Sequence, residues 1–364
     1  MMWGMAMATF VYLGLLIWVR SGWSKMFSTE IPTPENWPFL SVLVPAHNEA
    51  ENLQAFLPAI LEQDYPAFEL TVVLDRCTDG SAAVIAALQE EYPQLQVIEI
   101  AQSPEGWSGK KWAVARGVEA AKSEYIVWTD ADCLVEPGWL TAMGQAFAQG
   151  YQLILGLGKY REEQGWLAHF VSFETLYTAF LYMGTAAKGH LYMAVGRNLG
   201  YHQDFYLQQG GMEAIRDRVS GDDDLLVNAA KIPDKTGFIF SPNSQSLSLP
   251  PASLEAWIRQ KRRHISAGTQ YDFWSKSLLT TLHGTHGLCY LALIISLLLG
   301  QSIGWTLGLY GVRLLLSFAI FSSVAKKIGW RLSFGRFPVL DLLYFIYNLV
   351  LVPIGLMTNK PAWT

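Results

Sequence analysis

An apolar run, Tyr125-Ile126-Val127-Trp128-Thr129, ends in Asp130-Ala131-Asp132-Cys133, so two carboxylates stand one residue apart where the run stops. Consecutive β-formers read as a buried strand, which puts Asp130 and Asp132 on the turn leaving it. In an open α/β sheet, ligands bind at the carboxyl ends of strands. Asp-x-Asp at that edge suits a hard divalent cation, which takes carboxylate oxygens and keeps positions open for substrate phosphates. A nucleotide diphosphate is the natural guest. Alone, the same two residues describe a solvated turn equally well.

The elements around the pair argue for a site. From Leu40 the pattern alternates: a strand at 41–45, a helix at 49–61, a strand at 70–74, a helix at 79–91, a strand at 96–100, a helix at 111–121 and the strand at 125–129, with Pro137 opening a further helix. Units of this length imply a mostly parallel sheet with helices on both faces. The first, second and fourth of these strands end in polar clusters, His47-Asn48-Glu49, Asp75-Arg76 and Asp130-Ala131-Asp132, each with an acid. From Tyr151 to Pro251 the pattern is less regular. Gly165 to Ala187 is rich in Phe, Leu and Tyr, and fits either a core helix or one lying on a membrane.

Membrane association follows from the ends of the chain. Residues 1–19 carry no charged side chain and are long enough to span a bilayer. Arg20 and Lys25 come after the apolar stretch, whereas a cleaved signal peptide carries its basic residues before it. Three further apolar stretches lie at 278–300, 304–324 and 338–357. Arg259, Lys261, Arg262 and Arg263 precede the first; Lys326, Lys327, Arg331 and Arg336 separate the second and third; the turn at 301–304 is uncharged. By the positive-inside rule the basic segments are cytoplasmic. The expected organisation is an anchor at 1–20, a linker at 21–37, a cytoplasmic domain at 38–277 (halves 38–150 and 151–277) and three transmembrane helices at 278–364. Arg313 is mid-span, where a charge faces protein or water. It is expected in the bundle interior with Asn348 near its level, because Asp341 lies only five residues past Arg336.

The net charge of −5 gives no nucleic-acid footprint. Cys77, Cys133 and Cys289 have neither disulfide-framework nor zinc spacing, which fits a reducing compartment.

In order along the chain come Pro45-x-x-Asn48-Glu49, Val73-Leu-Asp75, Gly109-Lys110-Lys-Trp-Ala113, Thr129-Asp-Ala-Asp132, Gly196-Arg-Asn198-Leu-Gly-Tyr201, Gly221-Asp222-Asp223 and Gln260-Lys-Arg-Arg263-His264. This series resembles the signatures of membrane-bound family 2 glycosyltransferases and covers most of residues 40–265. The resemblance implies an α/β, GT-A fold, a Rossmann-like nucleotide-binding sheet with an acceptor half, plus transmembrane helices. It implies an inverting, metal-dependent transfer of one sugar from a nucleotide diphosphate sugar, UDP-linked, to a lipid or other hydrophobic acceptor. The cofactor would be Mn²⁺ or Mg²⁺ and the location the cytoplasmic face of the inner membrane.

In that reading Pro45, Asn48, Glu49 and Asp75 hold the nucleoside, and Lys110 meets the diphosphate as a point charge. Asp132 is the metal ligand, with Asp130 on ribose or on the metal through water. Asp223 is the base, with Asp222 beside it; crowded carboxylates raise one another's pKa values. Gly196, Asn198 and Tyr201 mark the acceptor region. Gln260, Arg263 and His264 belong to the donor site, Arg263 as a fork on phosphate oxygens, although the same cluster describes a basic patch on anionic lipid. His264 stands where Trp is usual, Leu74 where a first Asp is common, and Ala115 where Asn is frequent. These departures point to a subgroup resembling glucosyltransferases of ceramides, hopanoids or carotenoids. The alternatives are a polysaccharide synthase, a polyisoprenyl-phosphate glycosyltransferase, or a membrane scaffold with a degenerate transferase domain.

Overall fold

The computed structural model describes residues 2–357 except Asp217, Val219 and Lys231. These residues group into an α/β unit, residues 29–161 and 191–250, and a helical unit, residues 2–28, 162–190 and 251–357. Residues 358–364 of the expected C-terminal region lie outside the described residues.

Helix α1 (Met2–Ser28) continues past the anchor boundary expected at 20 into the expected linker. There follow β1 (Leu40–Ala46), α2 (Ala50–Leu61), β2 (Phe68–Asp75), α3 (Ser81–Glu91), β3 (Leu95–Ile100), α4 (Gly109–Ala120) and β4 (Tyr125–Trp128). Next come β5 (Cys133–Val135), α5 (Trp139–Ala148), β6 (Leu153–Gly156), β7 (Gly158–Tyr160) and α6 (Trp166–Ala186). The chain continues through β8 (Leu199–His202), α7 (Gln203–Gln208), α8 (Asp224–Asn228), β9 (Thr236–Ile239) and β10 (Ser246–Ser248). It ends in α9 (Leu254–Ala267), α10 (Phe273–Leu299), α11 (Ile303–Ala325) and α12 (Phe337–Met357).

Among the described residues, seven strands form one sheet in the order β3-β2-β1-β4-β8-β6-β9. β3, β2, β1 and β4 pair in parallel, as alternating strands and helices require. The sheet is mostly parallel, as expected, with one exception in β8, which is antiparallel to both β4 and β6. β8 follows the 162–190 excursion rather than a helix packed on the sheet, so no crossover dictates its direction. Val42, Val44, Val72 and Val127 lie in the core with Leu57, Ile85, Met143 and Phe147 from the helices.

From β3 the chain crosses to the far side of β1 to make β4, so the topological switch point lies between β1 and β4. Pairing of β1 with β4 stops at Leu43 and Trp128, while β1 continues beside β2 to Ala46. The Leu43 carbonyl accepts from the Thr129 N–H at 3.2 Å. Pro45, two residues on, points its backbone the same way with β4 already ended, so its missing N–H costs no ladder bond on that side. The crevice opens there.

In the helical unit α6 is buried between α1, α11 and α12. Trp23 Nε1 donates to the Phe180 carbonyl at 2.9 Å, and the Tyr12 and Tyr177 hydroxyls are 3.2 Å apart. Of the two readings open from sequence, α6 is a core helix. Its core is that of the apolar helices, so 38–277 is not one compact unit: α6 and α9 group with α1, α10, α11 and α12. A helix apolar on all sides needs partners all round, and other helices supply them. Among the described residues α1, α10, α11 and α12 are long and apolar enough to cross a membrane.

Arg313 faces the interior, fully buried, but its partner is Asp341 and not Asn348. Nη1 and Nη2 donate to the two Asp341 oxygens at 2.7 and 3.0 Å. Counting depth from Arg336 misplaced Asp341. The segment before α12 brings the Phe337 ring against that of Phe318, centroids 5.4 Å apart. One turn onward in α12, Asp341 meets the Arg313 side chain. Asn348 lies about two turns beyond, donating to the Tyr344 carbonyl at 2.8 Å.

Candidate active site

The loops after β1 and β2 are built as one piece. Asn48 and Arg76 adopt positive φ values of 55° and 51°, unusual for side-chain-bearing residues and frequent at functional loops. Asn48 Oδ1 accepts from the Thr78 N–H at 2.7 Å, and His47 Nδ1–H donates to the Asp75 carbonyl at 2.5 Å. Asp75 is buried at the end of β2, and Arg76 donates to both its oxygens, at 2.9 and 2.8 Å. The half-exposed Arg76 side chain covers that carboxylate. Gly109, at the start of α4, leaves room for this pair: a Cβ there would overlap Asp75 Oδ2 and Arg76 Nη2.

Glu49 donates its backbone N–H to Ser81 Oγ at 3.1 Å, while its side chain accepts from Asn52 Nδ2 at 2.5 Å. Burial pushes the Glu49 carboxyl up, against the Asn52 hydrogen bond, and the nearby Asp132 and Asp130 charges add to the rise.

Lys110 joins the two acid motifs. Its ammonium lies 2.8 Å from Asp130 Oδ1 and 3.0 Å from Asp222 Oδ2, with the Trp128 ring 5.4 Å away. Burial opposes its charge, but Asp130, Asp222 and Asp223 outweigh burial and hold the ammonium above its usual range. Asp222 is held below the usual carboxylate range: burial acts upward and the Lys110 charge more than offsets it.

Asp223 caps the N-terminus of α8, the placement expected for carboxylates at a helix start. Gly221, at φ 84°, makes the turn that delivers it. Its oxygens accept from the Gly196 N–H at 2.6 Å and the Asp224 N–H at 2.8 Å. Burial first, and the charge of Asp222 second, push its pKa up to about 6. A carboxylate held by backbone donors and tuned toward neutrality is suited to taking a proton.

Oxygens of Asp130 and Asp132 and the sulfur of Cys133 lie within 4.8 Å of one another. The two carboxylates suit a hard cation. The thiol does not, being 3.1 Å from Ser248 Oγ and pushed well up by burial. Although the Asp132 side chain opens to solvent, the protein packed around it, and then Asp130, push its carboxyl up. A bound cation would offset that cost, and would compete with Lys110 for Asp130. The residues present therefore fit a divalent ion.

Not every residue expected at the site faces it. Asn198 is fully buried: Oδ1 accepts from Trp139 Nε1 at 2.9 Å, and Nδ2 donates to the Leu157 and Ser244 carbonyls at 2.8 and 3.0 Å. Tyr201 is equally buried on β8 and stacks on Tyr206. Both side chains are held in the core, because β8 lies inside the sheet with strands on both sides. Gly196 alone of that trio reaches the site, through Asp223. Pro45 is buried in β1 and shapes the crevice mouth. Gln260, Arg263 and His264 lie on α9 in the helical unit at i, i+3 and i+4, hence along one side of it.

Sequence reasoning missed Lys111. It is buried, and its ammonium donates to the Arg218 and Ser220 carbonyls at 2.6 and 3.0 Å, tying α4 to the loop that carries Asp222 and Asp223. The available signal was the Lys-Lys pair at the head of a helix, where two lysines a residue apart must point differently.

The chain matches the family model described as "Glycosyl transferase family 2" over residues 41–207 and the one described as "Glycosyl transferase family group 2" over residues 125–357. Glycosyltransferase AglE of Haloferax volcanii is 29% identical over 105 residues, 28% of this chain and 33% of AglE. The probable glycosyltransferase YdaM of Bacillus subtilis is 25% identical over 251 residues, 64% of this chain and 56% of YdaM. The chain thus spans a third of one relative and just over half of the other. Mannosyltransferase PcManGT from Pyrobaculum calidifontis, solved with GDP-Man and Mn²⁺, superposes with a TM-score of 0.58 at 16% identity, over 95% of this chain and 99% of that one. That likeness is one of fold, and the fold is GT-A.

Proposed function

Because the chain belongs to family 2 of the glycosyl transferases, we propose that it moves a single sugar, with inversion, from a nucleotide diphosphate sugar to a lipid or other hydrophobic acceptor. UDP is the nucleotide favoured by the sequence resemblance; the similar PcManGT was solved with GDP-Man. The observation that carries the reading is Lys110 between Asp130 and Asp222, at 2.8 and 3.0 Å. One ammonium gathers the carboxylates suited to a cation and those suited to a base, at the strand ends where α/β sheets bind ligands.

Asp223 takes the proton of the acceptor hydroxyl while that oxygen attacks the anomeric carbon. The bond from that carbon to the diphosphate breaks, and the nucleoside diphosphate leaves. Asp130 and Asp132 would hold Mn²⁺ or Mg²⁺, which when bound neutralises charge building on the leaving diphosphate. Lys110 adds a fixed positive charge. Gly196 and the α8 backbone orient Asp223, and Lys111 holds the loop on which it stands. Arg263 is assigned to the diphosphate on its motif alone. The hydrophobic acceptor is supported by the apolar helices of the same chain, and their basic flanks favour the cytoplasmic face of an inner membrane.

The test is to incubate the purified protein with Mn²⁺, each of several nucleotide sugars and a membrane-lipid extract, and to profile glycolipids by mass spectrometry. A new singly glycosylated lipid dependent on Asp223 is expected. Polymer, or neither transfer nor donor hydrolysis, overturns the proposal.

A further inference from the structure

Length and composition admit α12 as a fourth crossing, but its neighbours argue otherwise. Three helices of the unit share one antiparallel register. Along α1 and α11, which run the same way, Lys327 lies 4.4 Å from the Phe27 ring, Arg20 Nε donates to Ser323 Oγ at 2.6 Å, and Arg313 lies 5.1 Å from the Tyr12 ring. α10 runs the opposite way, with His286 stacked on Tyr12 at 5.2 Å and Cys289 Sγ 3.5 Å from Thr9 Oγ1. The bundle therefore has a basic end, with Lys25, Lys326, Lys327 and the start of α10. Its other end is uncharged and carries the α10–α11 turn, where Ser296 and Thr306 hydroxyls are 3.0 Å apart.

α12 starts from the basic end, where Phe337 meets Phe318 and Phe321 with ring centroids 5.4 and 6.3 Å apart. A crossing helix would then finish beside Leu299 and Ile303. Gly355 instead lies against α9, so close that a Cβ on it would come within 2.8 Å of Ile265 Cγ2. Eight residues earlier, the Tyr347 ring is 5.4 Å from that of Trp257, itself eight residues before Ile265. α12 and α9 thus run side by side in the same direction. Only residues 268–272 separate α9 from the start of α10, which holds α9 at the basic end. α9 carries Arg259, Lys261, Arg262 and Arg263 within 14 residues, a charge density unsuited to a bilayer interior.

We propose that α12 lies along the leaflet on the α9 side instead of crossing, so that among the described residues α1, α10 and α11 span the bilayer and the C-terminal end of α12 stays on the same side as Ser333. Its partner is the acyl layer of that leaflet. Val339, Leu342, Ile346, Leu349, Val350 and Ile354 repeat at three- and four-residue spacing and are 40–59% exposed, one apolar stripe. The opposite side, with Leu340, Tyr344 and Phe345, is buried against protein. Arg331 and Arg336, just before α12, suit lipid headgroups on that side.

Two measurements on the full chain in membranes test this. In a Cys77→Ser background, a cysteine appended after Thr364 is compared with Ser302→Cys and Ser333→Cys, using a membrane-impermeant maleimide before and after permeabilisation. The appended cysteine is expected to label under the same condition as Ser333→Cys; labelling with Ser302→Cys overturns the proposal. Independently, nitroxides on Val339→Cys and Ile354→Cys report depth through collision with oxygen and a polar nickel complex. A crossing helix separates those positions by about 20 Å at the usual helical rise, and that result would also overturn it. Similar depths are expected.

Discussion

Gly196 donates its backbone N–H to Asp223 Oδ2 at 2.6 Å, joining the segment before β8 to the cap of α8 across 27 residues of chain. The bond fixes the proposed base from one side while the Asp224 N–H fixes its other oxygen at 2.8 Å. Burial and Asp222 push the Asp223 pKa up to about 6. Transfer at saturating donor should therefore fall as pH drops below about 6, as the base gains its proton. Asp223→Asn should lose about 10²–10⁴ in rate, keep donor binding and show no such acid limb. An acid limb surviving in the variant would place the base elsewhere. For stability the sign is the reverse. A carboxyl with a raised folded pKa favours its protonated form, so its contribution is present below the unfolded value and lost as pH rises through about 6. Neutralising it is not expected to unfold the chain at neutral pH.

Asp132→Ala should weaken Mn²⁺-dependent donor binding while the thermal transition stays within a few degrees of the parent, since Asp132 is solvent-exposed. Asp130→Ala should do more, because it also releases Lys110 from its 2.8 Å partner. Calorimetric titration of donor with and without Mn²⁺ separates the two. Equal metal-dependent binding by the parent and the Asp132 variant would remove that residue from the cation site.

Much of the placement of the candidate site was legible because strand-end geometry follows from short-range pattern. An apolar run that stops at Asp130 and Asp132 places them at a sheet edge, and Gly221-Asp222-Asp223 before an apolar turn reads as a helix cap. What the sequence hid depends on partners distant in the chain. Asn198 carries polar chemistry that looks available, yet the Leu157 and Ser244 carbonyls take both its amide hydrogens and Trp139 bonds its oxygen. Lys111 shows its role only once the Arg218 and Ser220 carbonyls are beside it. α6 could not be assigned by periodicity because it is apolar on every side.

Gly109 is a steric requirement that no motif reading supplies. Gly109→Ala should displace Arg76 from Asp75, because a Cβ would overlap Asp75 Oδ2 and Arg76 Nη2. Overpacking of this kind typically costs about 1–3 kcal/mol. Donor affinity should fall while the metal requirement is unchanged, as Asp130 and Asp132 lie on a different strand end. Unaltered donor affinity in the alanine variant would mean that the Asp75 loop does not contact the nucleotide.

Arg313 and Asp341 carry the last prediction, since a buried pair is costly to halve and cheap to remove. Arg313 donates to both Asp341 oxygens, Tyr290 donates its hydroxyl to Oδ2 at 2.6 Å, and His286 Nε2 lies 3.2 Å from Oδ1. Replacing one charge leaves the other without its counterion, which for buried pairs costs about 3–5 kcal/mol. Arg313→Met and Asp341→Leu should therefore each lower the thermal transition of the detergent-solubilised protein. The double variant should be clearly more stable than the sum of the two losses, because neither charge is stranded. Additive losses in that double-mutant cycle would mean that the residues are neighbours without being coupled.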